Sequence, residues 1–252
     1  PDDNPEIDGV KSHIFSYGHR NPPGLAFGEN GTLYEAEHGP ATAAQLNIIQ
    51  AGGNYGWHRV AGRIDDENYL YINWSEAPED VSENADPLPD SVPQFPESTF
   101  EGDMVEPLAT YFTVDDDYPI GQICGYICDP TIAPSSILPY TAGEDGIAEW
   151  DNSVLLTTLK HGTLYVQPLS DDGTAPDGDP VAWLSTQNRY RDVLIGPDNR
   201  VFIATDAFGS AAQKFGDGLN TSILHNPGSI LLYTYGEEGG SDLGLTRSPQ
   251  TV

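Results

Sequence analysis

Cations are scarce in this chain. Its 252 residues carry 10 Lys and Arg against 39 Asp and Glu, a formal net charge of -29. Its lysines are Lys11, Lys160 and Lys214. Such a balance excludes a generic nucleic-acid or anionic-membrane surface, because both demand clustered positive charge. It leaves two readings of the acids. One is a solvated surface suited to high salt, where screening weakens self-repulsion. The other is a docking surface for a cationic partner.

Cysteine is nearly missing as well. Cys124 and Cys128 stand close together, and neither another cysteine nor clustered histidines complete a zinc site beside them. Two readings stay open: a short-loop disulfide, fitting an oxidising compartment and so a periplasmic or secreted protein, or two buried thiols. No run of about 20 apolar residues is present, so no membrane-spanning helix is expected. No signal peptide opens the chain, and Pro1-Asp2-Asp3-Asn4-Pro5 reads as an interior loop. Helical periodicity is lacking over long windows. So is a Gly-x-Gly-x-x-Gly fingerprint after a strand, which argues against a nicotinamide cofactor.

What the chain has is turn chemistry and aromatics. The 27 Gly and 21 Pro are dispersed, and the 13 Tyr and 4 Trp supply core volume. The pattern predicts an all-β fold with strands at 24–27, 32–37, 45–49, 153–159, 163–167, 192–195, 200–205 and 229–235. Turn signals bound them: Glu29-Asn30-Gly31, Gly52-Gly53-Asn54, Asp171-Asp172-Gly173 and Pro197-Asp198-Asn199. An internal repeat aligns Phe27-Gly28-Glu29-Asn30-Gly31-Thr32-Leu33-Tyr34-Glu35-Ala36 with Ile195-Gly196-Pro197-Asp198-Asn199-Arg200-Val201-Phe202-Ile203-Ala204. A looser copy runs from Trp150 through the hairpin into Thr163-Leu164-Tyr165-Val166. Repeated hairpins with irregular long loops suggest propeller blades, with a β-sandwich as the alternative. One domain over 1–252 is expected, with an acidic, Pro-rich surface excursion at 76–106.

Four of the few cations fall in short motifs. These are Tyr17-Gly18-His19-Arg20-Asn21-Pro22, Thr158-Leu159-Lys160-His161-Gly162 and Asn188-Arg189-Tyr190-Arg191-Asp192, with Glu37-His38-Gly39-Pro40 between the first two. In so acidic a chain each retained cation needs a local reason, and a small anion supplies one. Further stretches join them in order: Gly52-Gly53-Asn54-Tyr55-Gly56-Trp57, Pro130-Thr131-Ile132-Ala133-Pro134 and Asn226-Pro227-Gly228-Ser229. This succession resembles the soluble pyrroloquinoline quinone (PQQ)-dependent glucose and aldose dehydrogenases.

The resemblance implies a six-bladed β-propeller of four-stranded antiparallel blades, of which this chain supplies roughly the C-terminal half. It implies PQQ and Ca2+ as cofactors and oxidation of an aldose to its lactone, by hydride transfer from sugar C1 to PQQ C5. An unknown acceptor takes the electrons. Arg20 and Asn21 match contacts to the quinone oxygens, with Arg20 assisting catalysis, and Lys160, Arg189 and Arg191 match cofactor contacts. Gly39 and Pro40 match backbone ligands of the cofactor's calcium. Tyr126 matches an aromatic lining the sugar site, and Asp129 replaces a Trp there, which places glucose itself in question. Ala44 and Gln45 replace an acidic pair that binds a further calcium near a dimer contact, so a homodimer is left open. The general-base His has no match among the histidines here, so the chain alone is expected to be inactive. The alternatives are a non-catalytic propeller serving as a binding module, and a glycoside hydrolase, which no motif supports.

Overall fold

In the computed structural model, which describes residues 2, 4–7, 9–82, 87–122, 129–209 and 223–235, the chain builds antiparallel sheets joined by turns and short 3-10 segments. Three sheets follow one another along the chain. The first consists of Gly24–Phe27, Leu33–Glu37, Ala44–Ile48 and Ala109–Tyr111. The second is Pro134–Tyr140, Ser153–Thr158, Leu164–Pro168 and Val181–Trp183. The third is Tyr190–Ile195, Arg200–Thr205 and Ile230–Thr234. In each, strand order follows chain order, so each sheet is a simple meander.

The sequence repeat reappears as one turn built twice. Gly28 N–H donates to the Thr32 carbonyl (2.8 Å), and at the equivalent position Gly196 N–H donates to the Arg200 carbonyl (2.7 Å). The first copy turns through Gly31 at φ 83; the second uses Asp198 and Asn199 at φ 57 and 54. Glycine reaches that left-handed region freely, and Asp and Asn tolerate it better than other side chains.

Alternation explains the core. Every residue of Ser153–Thr158 is buried, because the second sheet is covered on both faces. Val154 and Leu156 pack with Tyr34, Ala36, Leu46 and Ile137 towards the first sheet. Leu155 packs with Leu164, Val166, Val193, Val201 and Ile203 towards the third. Trp150, fully buried, meets Trp183 edge-on at 5.4 Å. Burying each such side chain stabilises the fold by about 1.5–3 kcal/mol.

The leading strands of the three sheets lie side by side, with Pro134–Tyr140 between Gly24–Phe27 and Tyr190–Ile195. The approach is close: a Cβ on Gly24 would sit 3.2 Å from the Ile137 amide nitrogen. Ser135 Oγ donates to the Tyr190 carbonyl (2.6 Å) and Ser136 Oγ to Asp192 Oδ1 (2.7 Å). Because each sheet starts in the same sense, the loops before its first strand and after its second gather at one end. The three cation-bearing motifs lie at that end, in those loops or, for Arg191, at the start of the strand Tyr190–Ile195.

The stretch expected as an excursion is tied down more firmly than its composition suggests. Tyr71–Ile72 pairs with Gln94–Phe95, and the Arg59 guanidinium covers the Tyr71 and Phe95 rings at 5.3 and 4.8 Å. Glu97 is buried and accepts from the Ala61 and Asp66 amides (2.7 and 3.2 Å). Pro134–Tyr140, Val181–Trp183 and Ala109–Tyr111 are strands beyond those expected from sequence. Tyr126, Cys124 and Cys128 lie outside the described residues.

The third sheet is covered on one face only, and the first sheet leaves one face of its leading strand uncovered. Leu25 and Phe27 are 63% and 70% exposed on the first sheet, and Leu194 and Ile230 are 61% and 67% exposed on the third. Residues 1–252 expressed alone should therefore self-associate at micromolar concentration, and Phe27→Glu should weaken that association. Sedimentation velocity giving a monomer for the unaltered chain would refute this.

Candidate functional site

His38 is the hub of the cation-bearing end. Its ring Nε2 bonds to the Pro134 carbonyl (2.5 Å), so that nitrogen carries the proton, and its amide donates to the Asn21 carbonyl (3.1 Å). Burial lowers its pKa, and the charges of Arg20, Arg189 and Arg191 lower it further, against the Pro134 bond. Three guanidiniums thus act on one half-buried imidazole that stays neutral. Arg20 is exposed; its Nη1 donates to the His38 carbonyl (3.3 Å), and its guanidinium lies over the Trp57 ring at 5.4 Å. Asn21, also exposed, follows it.

Arg189 and Arg191 share one carboxylate. Asp206 Oδ2 accepts from Arg189 Nε (3.2 Å) and from an Arg191 terminal nitrogen (2.8 Å). Burial alone would raise the Asp206 pKa, but these bonds and charges outweigh it and hold it below the ordinary range. Arg189 is buried and Arg191 exposed, so the pair runs from the interior to the surface.

Lys160 is only 5% exposed, and its ammonium donates to the Asp129 carbonyl. Burial lowers its pKa to about 8 despite the charge of Asp129. Asp129 is itself buried, with Oδ1 accepting from Gly121 N–H (2.7 Å). The next turn joins two motifs: Gly162 sits at φ 58, and a Cβ there would lie 2.2 Å from the Asn188 carbonyl oxygen. Only glycine lets the Lys160 loop approach the Arg189 loop so closely.

The Gly39-Pro40 turn closes on itself. A Cβ on Gly39 would meet the Thr42 carbonyl oxygen at 1.7 Å. Among the described residues neither the Gly39 nor the Pro40 carbonyl accepts a hydrogen bond, whereas the next carbonyl, of Ala41, accepts from Thr131 N–H (2.8 Å). Two unspent carbonyls are what a hard cation needs. Ala44 is fully buried. With its amide oriented to suit its neighbours, Gln45 donates to Glu37 Oε1 (3.2 Å) and accepts from Gly62 N–H (2.7 Å).

Behind the cations lies a set of groups to which sequence reasoning gave no role in the site. Glu35 and Glu37 point to one face of Leu33–Glu37 and are 2% and 1% exposed. Asn47, paired across from Glu35, donates to Glu35 Oε2 (2.7 Å) and lies 3.5 Å from Glu37 Oε1. Glu37 Oε2 accepts the Arg20 amide (2.7 Å), and the Asn21 amide also bonds this carboxylate. Glu37 therefore fixes the backbone that presents Arg20. Burial raises its pKa against those bonds. Glu35 is pushed up to about 8, by burial first and the Glu37 charge second, offset by Asn47. The available signal was two acids at period two within a strand otherwise buried. Asp206 was missed because it lies fifteen residues beyond Arg191 with no motif around it.

The structure thus brings Arg20, Asn21, Arg189, Arg191, Gly39 and Pro40 to the end centred on His38, with Lys160 joined through Gly162. The model of the family described as Glucose / Sorbosone dehydrogenase matches residues 1–104 and 119–213. The chain belongs to this family. It is 42% identical over 245 residues to quinoprotein glucose dehydrogenase B of Acinetobacter calcoaceticus, covering 93% of this chain and 51% of that protein. It is 27% identical over 209 residues to aldose sugar dehydrogenase YliI of Escherichia coli, covering 82% of this chain and 45% of the relative. The crystal structure of the soluble aldose sugar dehydrogenase from Escherichia coli in the apo-form superposes with TM-score 0.52 at 26% identity, over 81% of this chain and 48% of that one. The chain spans about half the length of the curated relatives it matches.

The buried acid gives stability a definite pH dependence. Glu35 has a folded pKa of about 8, above its ordinary value of 4.5. Its carboxyl costs nothing while protonated below pH 4.5, and the cost grows as pH rises towards 8. Relative to the unaltered protein, Glu35→Gln should be more stabilising at pH 9 than at pH 5, by about 2–4 kcal/mol at 1.36 kcal/mol per pKa unit. Urea unfolding in EDTA at the two pH values tests this, and an equal difference at both rejects it.

Proposed function

We propose that the chain is the C-terminal half of a six-bladed propeller that oxidises an aldose with PQQ and Ca2+, delivering electrons to a separate acceptor, in the periplasm or after secretion. The observation that carries this is the convergence of Arg20, Arg189 and Arg191 on His38, beside Gly39 and Pro40, in a chain with 10 cations. Exposed apolar faces on both flanking sheets favour further blades on either side. The kinship with quinoprotein glucose and aldose sugar dehydrogenases favours the chemistry.

The residues present fit such a cofactor. PQQ is a planar quinone with three carboxylates, and when bound it supplies a carbonyl that accepts hydride from sugar C1. Arg189 and Arg191 offer rigid donor forks for carboxylates, which lysine cannot reproduce. Lys160 adds a desolvated point charge whose attraction for an anion is strengthened by burial. The Gly39 and Pro40 carbonyls would hold calcium without neutralising it. Arg20, braced on Trp57 and fixed through Glu37, would stabilise negative charge on a quinone oxygen, with Asn21 donating beside it. Asp129 accepts from the Lys160 ammonium at its carbonyl and from the Gly121 amide at its carboxylate, and we assign Asp129 and Tyr126 to the sugar side. The general base lies outside this chain in this reading.

In protein from the complete reading frame, Arg189→Ala and Arg191→Ala should each weaken PQQ binding about 10- to 100-fold, as loss of a charge-assisted bond of about 1.5–3 kcal/mol implies. Arg200→Ala should leave the PQQ titration unchanged, since that guanidinium lies over Phe202 at the opposite end of its strand. Unaltered titrations for both arginines would defeat the assignment. Residues 1–252 alone, given PQQ, Ca2+ and an artificial acceptor, should show no sugar-dependent dye reduction; turnover at the rate of the complete protein would make one of its own histidines the base.

A further inference from the structure

We propose that His19, Glu35 and Glu37 form a binding site for a divalent transition ion of the zinc class, distinct from the Gly39-Pro40 turn. Their ligand atoms all lie within 4.8 Å of one another. Each side chain is also held by a bond that leaves coordinating capacity. Ser16 Oγ bonds His19 Nε2 (2.9 Å), and His19 Nδ1 has no hydrogen-bond partner. Asn47 donates to Glu35 Oε2 (2.7 Å), and Glu35 Oε1 has no partner although the residue is 2% exposed. Glu37 is held at both oxygens, Oε2 by the Arg20 amide (2.7 Å) and Oε1 by the Gln45 side-chain amide (3.2 Å), and each carboxylate oxygen keeps a second lone pair for an ion. In His19 and Glu35 one polar atom is anchored and the other is left without a partner, an arrangement that orients metal ligands.

Ring packing adds rigidity, because His19 stacks on Tyr55 with centroids 4.5 Å apart. A cleft lined by Phe15, Pro22, Leu25 and Leu33 reaches His19 and Glu35 and supplies an entry path. Ligands on one ion at about 2.1 Å sit no more than about 4.2 Å apart, so closure needs shifts of tenths of an ångström. An imidazole nitrogen among two carboxylates suits zinc or manganese, whereas calcium takes oxygen alone. Since Glu37 carries the Arg20 and Asn21 amides, an ion here would brace the loop presenting Arg20.

The test uses protein from the complete reading frame, stripped with EDTA, desalted and titrated with ZnCl2 by calorimetry, with metal content checked by mass spectrometry. The unaltered protein should take up one zinc equivalent more than Glu35→Gln or His19→Ala, or bind that equivalent at least about 100-fold more tightly. Circular dichroism establishes that the variants are folded; Glu35→Gln removes a buried charge while preserving shape. The same zinc stoichiometry and affinity in both variants would overturn the site, as would absence of saturable zinc binding by the folded parent. Tighter filling of that equivalent by CaCl2 than by ZnCl2 would overturn the assignment to the zinc class.

Discussion

Covering the strand Ser153–Thr158 on both faces is the constraint on which the site depends. Two sheets must dock against the second one, and its side chains divide between them in strict alternation, Val154 and Leu156 to one side and Leu155 to the other. Once docked, the leading strands stand in a row with Pro134–Tyr140 in the middle. That order brings residues more than 150 positions apart, such as Arg20 and Arg189, to a shared imidazole whose proton is spent on the Pro134 carbonyl. The strand that holds the core together is thus the neighbour of the strand that places His38.

The acids near the site are structural partners of its cations. Asp206 clamps two arginines, and Glu37 collects the amides of Arg20 and Asn21. Neither acts as part of a diffuse negative surface. Glu37 is buried at real electrostatic cost, and its bonds to backbone amides partly offset that cost. A buried carboxylate of this kind is kept where the position of a loop matters more than net stability.

Much of this was legible in the sequence, for identifiable reasons. Hairpins with strong turns were visible: Glu29-Asn30-Gly31 and Pro197-Asp198-Asn199 close with the same backbone bond. Pro134–Tyr140 was not, because Pro134, Pro139 and two serines read as loop. An edge strand tolerates proline, since one of its sides needs no ladder bonds. Val181–Trp183 and Ala109–Tyr111 are too short for alternation to register. The cations stood out because so few exist to choose from. Their partners did not, since Asp206, Glu35 and Glu37 are three acids among 39 and only packing distinguishes them. Asp129 reads from sequence as a lost aromatic, while its carboxylate in the fold serves the Gly121 amide.

The net charge sets a last condition on any anion that binds here. A protein at -29 repels a polycarboxylate at long range and attracts divalent cations. At about 0.1 M ionic strength charges beyond about 10 Å are largely screened, so capture is decided within that distance. Inside it, the cations are placed with economy: Arg191 is exposed to meet an arriving anion, while Arg189 and Lys160 lie buried, where a charge interacts more strongly. Calcium on the Gly39 and Pro40 carbonyls would add positive charge that no side chain there cancels. The arrangement requires few cations because it keeps them close and oriented, with Arg189 and Lys160 buried and Arg20 and Arg191 at the surface.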